Sequence, residues 1–431
     1  MTVDLTDIER ALLDGRTKGM PGGVGPVLLA DVGGKGWNLL AEDLPLPACV
    51  LRESALARNE AWMGAFLERT GAVISPHGKT TMSPQLFKRQ LDQGAWAITV
   101  GNIHQLQVAR HYGFPRIVLA NQLVGRQAVR FVLDEMARDP SFDFYCLVDS
   151  VALVERLAEA ARAAGVGRPL NVFLEGGFAG GRTGVRDKAT GLAVARAVKA
   201  AAPVLALRGV EGFEGLISGD GRAERVGAFL DFLMDLARTA DAEDLFAPGP
   251  VILTAGGSAY YDIVAEKLSA ADLRREAMVL TRSGCYLTHD SGMYAKSFAD
   301  IQARSALARD LGEVEAALEV WAYVQSRPEP NRVLVTMGKR DTAFDGDWPT
   351  PLKWHRSGGG GAAPAPMPPG HRMTGMNDQH GYLEVPADSP LQVGDMVGFG
   401  VTHPCLTFDR WQLIFLVDDA YTVTGAVRTF F

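Results

Sequence analysis

Residues 72–81 read "AVISPHGKTT", an apolar run that ends on a lysine-bearing turn. Gly78-Lys79-Thr80 is also the tail of a nucleotide-binding P-loop, which would assign Lys79 to a nucleotide phosphate. A P-loop needs a second glycine five positions before Gly78, because its backbone N–H groups must wrap the phosphates. Val73 stands there, Ala72-Val73-Ile74 has the pattern of a buried strand, and Pro76 stiffens the segment that would have to be flexible. The nucleotide reading is therefore rejected. Lys79 is left at the end of a strand and needs another role.

Seven more runs of the same kind follow, so the pattern reads as repeated βα units. With Ala72–Pro76 they are Ala95–Val100, Arg116–Ala120, Phe144–Val148, Leu170–Glu175, Leu207–Gly212, Val251–Ala255 and Ala277–Thr281. Between them Ser83–Gln93, Val151–Ala164 and Arg222–Ala240 repeat apolar residues every three or four positions, as helices do. Eight units over roughly 250 residues is the size of a (β/α)8 barrel, although an open doubly wound sheet gives a similar string. We expect the barrel over residues 54–305. Residues 1–53 and 306–431 are expected to form a smaller β domain, since Val314–Val324, Arg332–Met337 and "YLEVPADSPLQVGDMVGFGVTH" combine short strands with turn residues. Arg356–Gly370, "RSGGGGAAPAPMPPG", reads as a long mobile loop within it.

Bulk properties narrow the function. The 431 residues are 47% hydrophobic and 22% charged, an ordinary globular composition. Lys plus Arg is 43 against 50 Asp plus Glu, a net charge of -7, which argues against nucleic acid as a partner. No long apolar run implies a membrane span. The N-terminus, "MTVDLTDIERALLDGRTKG", reads as a polar capped helix rather than an export signal. Cys49, Cys146, Cys285 and Cys405 are too scattered for a disulfide framework, so a cytoplasmic protein is expected.

Catalytic groups of a parallel barrel gather at the C-terminal ends of its strands. Lys79 follows the first strand, Asn121-Gln122 the third, and Gly176-Gly177 with Gly180-Gly181-Arg182 the fifth. Gly256-Gly257-Ser258 follows the seventh and Arg282-Ser283-Gly284-Cys285-Tyr286 the eighth. Gly256-Gly257-Ser258, leading into the helical pattern Tyr261–Leu268, offers free N–H groups and a helix start for a phosphate; a plain strand-to-helix turn is the alternative. Lys79 would be either a solvated lysine or a desolvated amine that forms a Schiff base. An amine facing a phosphate cradle is what pyridoxal phosphate requires. In His403-Pro404-Cys405, residues two apart on an extended chain would point to one side, so imidazole and thiolate could share a zinc ion; a core histidine beside a buried cysteine is the alternative. Asp409 and Asp418-Asp419 read as surface charges.

Together "PHGKT", "ANQLVG", "GGRTGV", "AGGS", "RSGCYLTHD" and "THPCLTFDRW" resemble the D-threonine aldolase and D-serine dehydratase family, fold-type III pyridoxal phosphate enzymes related to alanine racemases. The resemblance runs over residues 48 to 420. It implies an alanine racemase-like barrel carrying the cofactor, a β domain carrying a metal, and a homodimer. It makes Lys79 the Schiff-base lysine and matches Gly256, Gly257 and Ser258 to the phosphate turn, joined by Gly284, Cys285 and Tyr286. Arg182 matches the arginine near the cofactor's phenolic oxygen. Arg282 lies where alanine racemases face the pyridine nitrogen, and Phe213 stands where relatives often carry tyrosine. His403 and Cys405 match the metal ligands. The dehydratases of the family carry His-x-Cys with zinc, and the aldolases carry His-x-Asp with manganese.

The resemblance therefore implies zinc-assisted β-elimination of water from a D-β-hydroxy amino acid such as D-serine or D-threo-3-hydroxyaspartate, giving a keto acid and ammonia. The alternatives are retro-aldol cleavage to glycine and an aldehyde, and a non-catalytic protein that carries pyridoxal phosphate. Asn121, Gln122, His355 and His380 are the candidates for substrate contact.

Overall fold

The computed structural model describes residues 2–358 and 363–431. Eight parallel strands form the barrel: β1 (Val73–Ile74), β2 (Ile98–Val100), β3 (Arg116–Gln122), β4 (Asp143–Val148), β5 (Leu170–Gly176), β6 (Leu205–Gly212), β7 (Val251–Ala255) and β8 (Ala277–Thr281). Each pairs with its sequence neighbour from β2 to β8, and β8 returns to β1 with Leu280 opposite Val73. The ring closes through bonds from Trp96 N to Ile74 O (2.8 Å) and Thr99 N to Pro76 O (2.9 Å), and through a parallel bridge between His77 and Thr99. The barrel reading holds and the open sheet does not. β1 is shorter than its apolar run because Pro76 has no N–H to donate to a ladder.

Strand side chains alternate between two cores. Ala97, Val118, Tyr145, Leu147, Phe173, Ile252 and Leu280 fill the barrel interior, where Tyr145 stacks on Phe173 at 5.2 Å between ring centroids. Their neighbours Val172, Leu174, Val251 and Leu253 face the helices. Strands buried on both faces explain why the sequence shows continuous apolar runs here instead of alternation. The expected helices appear as Pro84–Asp92, Val151–Ala164 and Arg222–Ala242.

Leu318–Glu329 is the central strand of the β domain and lies antiparallel to Met396–Gly400 and to Ala48–Arg52. Ala48–Arg52 also runs parallel to Leu413–Val417, so a strand from before the barrel joins strands from after it. Three expectations change. The central strand starts at Leu318 instead of Val314, because Glu315 is drawn aside: Asn59 accepts its N–H at 2.8 Å and Arg52 pairs with its carboxylate. The N-terminal helical pattern yields only Thr6–Glu9, with glycines at 15 and 19 breaking the run. In Arg356–Gly370, expected to be one loop, Ala365-Pro366 pairs with Lys353-Trp354, while 359–362 lie outside the described residues. Among the described residues no helix is long and apolar enough to cross a membrane.

One buried charge ties the β-domain strands together. Glu319, 2% exposed, accepts from Lys353 Nζ (2.8 Å), Trp321 Nε1 (2.9 Å) and Tyr421 Oη (2.9 Å). Removing one partner of such a pair leaves a charge that water cannot reach. Lys353→Met is expected to lower the unfolding free energy by about 3 kcal/mol, read from the urea midpoint. An unchanged midpoint would mean that the Trp321 and Tyr421 donors are enough.

Candidate active site

The strand ends open into a cavity of about 900 Å3 lined by Lys79, Asn121, Arg182, Gly256, Gly257, Ser258, Arg282, Gly284, Cys285 and Cys405. Residues spread over more than 300 positions thus meet on one surface. Lys79 sits in a tight turn, Gly78–Thr80, directly after β1, and is exposed to the cavity rather than desolvated. The turn is held down by Gly78, where a Cβ would lie 2.7 Å from the Phe87 ring. Gly284, in the turn after β8, packs against it so closely that a Cβ would lie 2.4 Å from His77 O and 2.7 Å from Thr80 Oγ1. No other residue permits that approach, and it puts Cys285 Sγ 3.5 Å from Thr80 Oγ1.

Across the cavity, Gly256 takes φ 129° and opens the Gly256-Gly257-Ser258 turn. A Cβ on Gly257 would meet the Phe213 ring at 3.2 Å, narrowing the cradle. Not all of its N–H groups are free: Gly257 N donates to Glu214 Oε1 at 2.9 Å. Burial raises the Glu214 carboxyl, and its other oxygen finds no hydrogen-bond partner among the described residues.

Arg282 reaches across the barrel mouth. Its guanidinium donates to Thr254 Oγ1 (2.6 Å), Gly212 O (3.1 Å) and the Glu211 carboxylate, and only 3% of its side chain is exposed. Burial pushes Glu211 up to about 8 although Arg282 opposes the shift. Arg182 stands above the Phe213 ring, 4.1 Å from its centroid, a cation–π contact. An amine, a glycine cradle and two fixed arginines around one cavity are a set that an aldehyde cofactor with a phosphate would fit.

The β domain supplies the remaining wall. His403 precedes the short helix Pro404–Phe408, which carries Cys405. The pair therefore meets at a helix start, not along an extended strand as its spacing suggested. Cys405 Sγ is 3.6 Å from Thr80 Oγ1 and 3.7 Å from Cys285 Sγ. Hydrogen bonds from Cys285 and then His403 hold the Cys405 thiol well below its ordinary range. Its hydrogen bond with Cys405, helped by Asp345, raises His403 to about 9 against the effect of burial. Asp345 Oδ2 lies 2.7 Å from His403 Nδ1, orienting the ring so that Nε2 is the nitrogen left for other work. Among the described residues no group of three or more His, Cys, Asp or Glu side chains is placed to hold a metal. What the site offers is a two-donor, imidazole–thiolate pair, which suits an open coordination sphere completed by water or substrate. Asp409 pairs with Arg410 close enough to His403 and Cys405 to feel both charges, whereas Asp419 pairs with Ser54 and Arg52.

Other candidates lie apart. Asn121 lines the cavity and donates to Gly101 O at 2.6 Å, but Gln122 turns to the Glu175 carboxylate. Tyr286 faces a smaller adjoining cavity with Trp62 and Tyr261. His355 is buried at the end of strand Thr350–His355, and His380 is exposed on a turn of the β domain. Glu211, Glu214 and Asp345 are the residues that sequence reading missed. For Glu211 a signal existed, a carboxylate near the C-terminal end of a buried barrel strand. Glu214 and Asp345 lie in loops with no such contrast.

Comparison with known proteins bears out the family resemblance. Residues 317–417 match the model of a putative serine dehydratase domain. A 3-hydroxy-D-aspartate aldolase of Paracoccus denitrificans (strain Pd 1222) is 25% identical over 317 residues, 71% of this chain and 75% of that protein. A D-threonine aldolase of an Arthrobacter species is 25% identical over 387 residues, 86% and 89% of the two chains. The fold is also that of D-threo-3-hydroxyaspartate dehydratase from Delftia sp. HT23, with a TM-score of 0.70 at 21% identity over 91% of this chain and 99% of that one.

If His403 is a ligand, Asp345→Asn is expected to weaken zinc binding roughly 10- to 100-fold, the usual cost of removing a partner that orients a ligating histidine. Competition against a chromophoric chelator measures it; equal affinity would remove Asp345 from the site.

Proposed function

We propose, from the kinship of this chain with D-hydroxyamino acid lyases, that it is a pyridoxal phosphate- and zinc-dependent lyase that eliminates water from a D-β-hydroxy amino acid such as D-serine or D-threo-3-hydroxyaspartate. The observation that carries the choice of elimination is the position of Cys405, its thiol drawn toward thiolate, at the wall of the cavity that Lys79 also lines and against Thr80. A thiolate and an imidazole form a soft pair suited to zinc. When bound, pyridoxal phosphate supplies an electron sink for charge at the substrate α-carbon, and zinc supplies a Lewis acid for the β-hydroxyl.

The chain's own residues then divide the work. Lys79 Nζ, exposed to the cavity, would anchor the aldehyde and, once the substrate amine has displaced it, would be the base that takes the α-proton. Gly256, Gly257 and Ser258, with the backbone of Gly284 and Cys285, receive the phosphate. Arg282, fixed by Thr254 and Glu211, has its planar group directed across the mouth and cannot follow the substrate as it moves. His403 and Cys405 hold the metal on the side where the β-hydroxyl departs. Residues 54–305 carry the cofactor and 1–53 with 306–431 the metal pair, in a homodimer of the cytoplasm.

The relatives that cleave to glycine support a second reading, in which the same groups carry out a retro-aldol reaction. A panel of D- and L-β-hydroxy amino acids, assayed with and without chelator, separates the two. Ammonia and a keto acid from D-isomers are expected, and glycine with an aldehyde would overturn elimination. Cys405→Ala is expected to abolish turnover and leave pyridoxal phosphate bound. A wild-type protein that binds the cofactor but converts no substrate with zinc supplied would be a carrier.

A further inference from the structure

Arg182 is presented by a loop that ought to be loose. Between β5 and the helix Lys188–Ala200 the chain reads Gly177-Phe178-Ala179-Gly180-Gly181-Arg182-Thr183-Gly184-Val185-Arg186, with Gly180 at φ 77° and Gly184 at φ 94°. Glycines carry a large entropy cost when ordered, so a loop holding four of them needs something to fix it. Its base is fixed by Gly177 N to Val185 O (2.9 Å) and Val185 N to Glu175 O (2.8 Å). Its tip, where Arg182 sits, is beyond those bonds.

Thr183 Oγ1 donates to Glu175 Oε1 (2.6 Å) and Gly184 N to Asp149 Oδ2 (3.1 Å), and the carbonyls of the tip are gathered by one further side chain. Arg186 Nη1 donates to Thr183 O (2.6 Å) and Gly184 O (2.9 Å), and Nη2 donates to the carbonyl of Arg182 itself and, at 3.5 Å, to Gly181 O. The guanidinium thus occupies the inside of the turn, and Gly177 makes room for it: a Cβ there would lie 1.9 Å from Arg186 Nη1 and 2.2 Å from Thr183 O. Because the carbonyls on both sides of Thr183 and that of Arg182 are taken, the peptide planes around Arg182 cannot rotate. Its side chain can then stay over Phe213, facing the cavity. Arg186 does not line that cavity.

We infer that Arg186 is a positioning residue, a guanidinium clasp that fixes the aim of Arg182 at the bound ligand. The inference rests on the proposed cofactor reading, in which Arg182 stands beside pyridoxal phosphate. Lysine cannot replace the clasp, because one ammonium has no planar fork to span several carbonyls. Gly177→Ala displaces the guanidinium from inside the turn while leaving Arg186 itself unsubstituted.

The test compares the wild type with Arg182→Lys, Arg186→Lys, Gly177→Ala and the double variant Arg182→Lys/Arg186→Lys. Pyridoxal phosphate affinity and the pH midpoint of the bound cofactor's visible absorbance are the readouts. Arg186→Lys and Gly177→Ala are each expected to bind the cofactor roughly tenfold more weakly, the size of one lost charge-assisted hydrogen bond. They should also move the midpoint in the same direction as Arg182→Lys, and the double variant should be no worse than Arg182→Lys alone. A merely structural role for Arg186 would lower the melting temperature and leave the midpoint in place, which overturns the inference. So would losses that add in the double variant. If either clasp variant fails to fold, the other carries the comparison. A wild type that takes no pyridoxal phosphate on Lys79 would instead sink the cofactor reading.

Discussion

The turn after the last barrel strand lies against the turn after the first, with no room for a side chain between them. Gly284 faces the His77 carbonyl and the Thr80 hydroxyl at distances that any Cβ would violate. This contact reinforces the β8–β1 side of the ring, whose other side, from β1 to β2, is joined through the Trp96, Thr99 and His77 backbone. It also fixes the chemistry. Lys79 and Thr80 are held at one side of the join, Cys285 at the other, and the helix Pro404–Phe408 sets Cys405 on both. The contact that seats the turn after β8 against the turn after β1 therefore also brings Thr80 to Cys285 and Cys405.

Around that join the cavity is electrically uneven. Glu211 and Glu214 are buried behind the arginines and the glycine turn, and burial raises both carboxyls. Glu211 accepts from Arg282 and Glu214 from Gly257 N, so both carboxyls are tied to groups that face the cavity. At the other wall Cys405 is drawn toward the thiolate by its neighbours and His403 toward the charged form.

Much of this was legible in the primary structure, and what was lost was lost for physical reasons. Strands buried on both faces give unbroken apolar runs, so all eight barrel strands could be located from composition alone. Glycines at strand ends marked the turns that line the cavity. The start of the Leu318–Glu329 strand could not be read, because Asn59, more than 250 positions away, takes the Glu315 N–H. The His403–Cys405 pair was found on an assumption of extended backbone, whereas Pro404 begins a helix; the side chains meet because a helix start also brings such neighbours together. Gln122 and His380 show the limit of position as evidence, since one is held by Glu175 and the other lies on an exposed turn.

The amino-acid order by itself determined the alternation of strands and helices, the count of eight, and the residue types able to hold an aldehyde, a phosphate and a soft metal, while closure into a ring was read from the structure. Those follow from local rules, namely side-chain period, backbone freedom and donor chemistry. Tertiary structure decided which of these groups face one another, that Glu214 occupies a turn N–H, that Asp345 orients His403, and that Arg186 gathers the Arg182 loop. Such pairings depend on distances between elements remote in the chain or on the shape of a closed turn, and neither is encoded in any short window of residues.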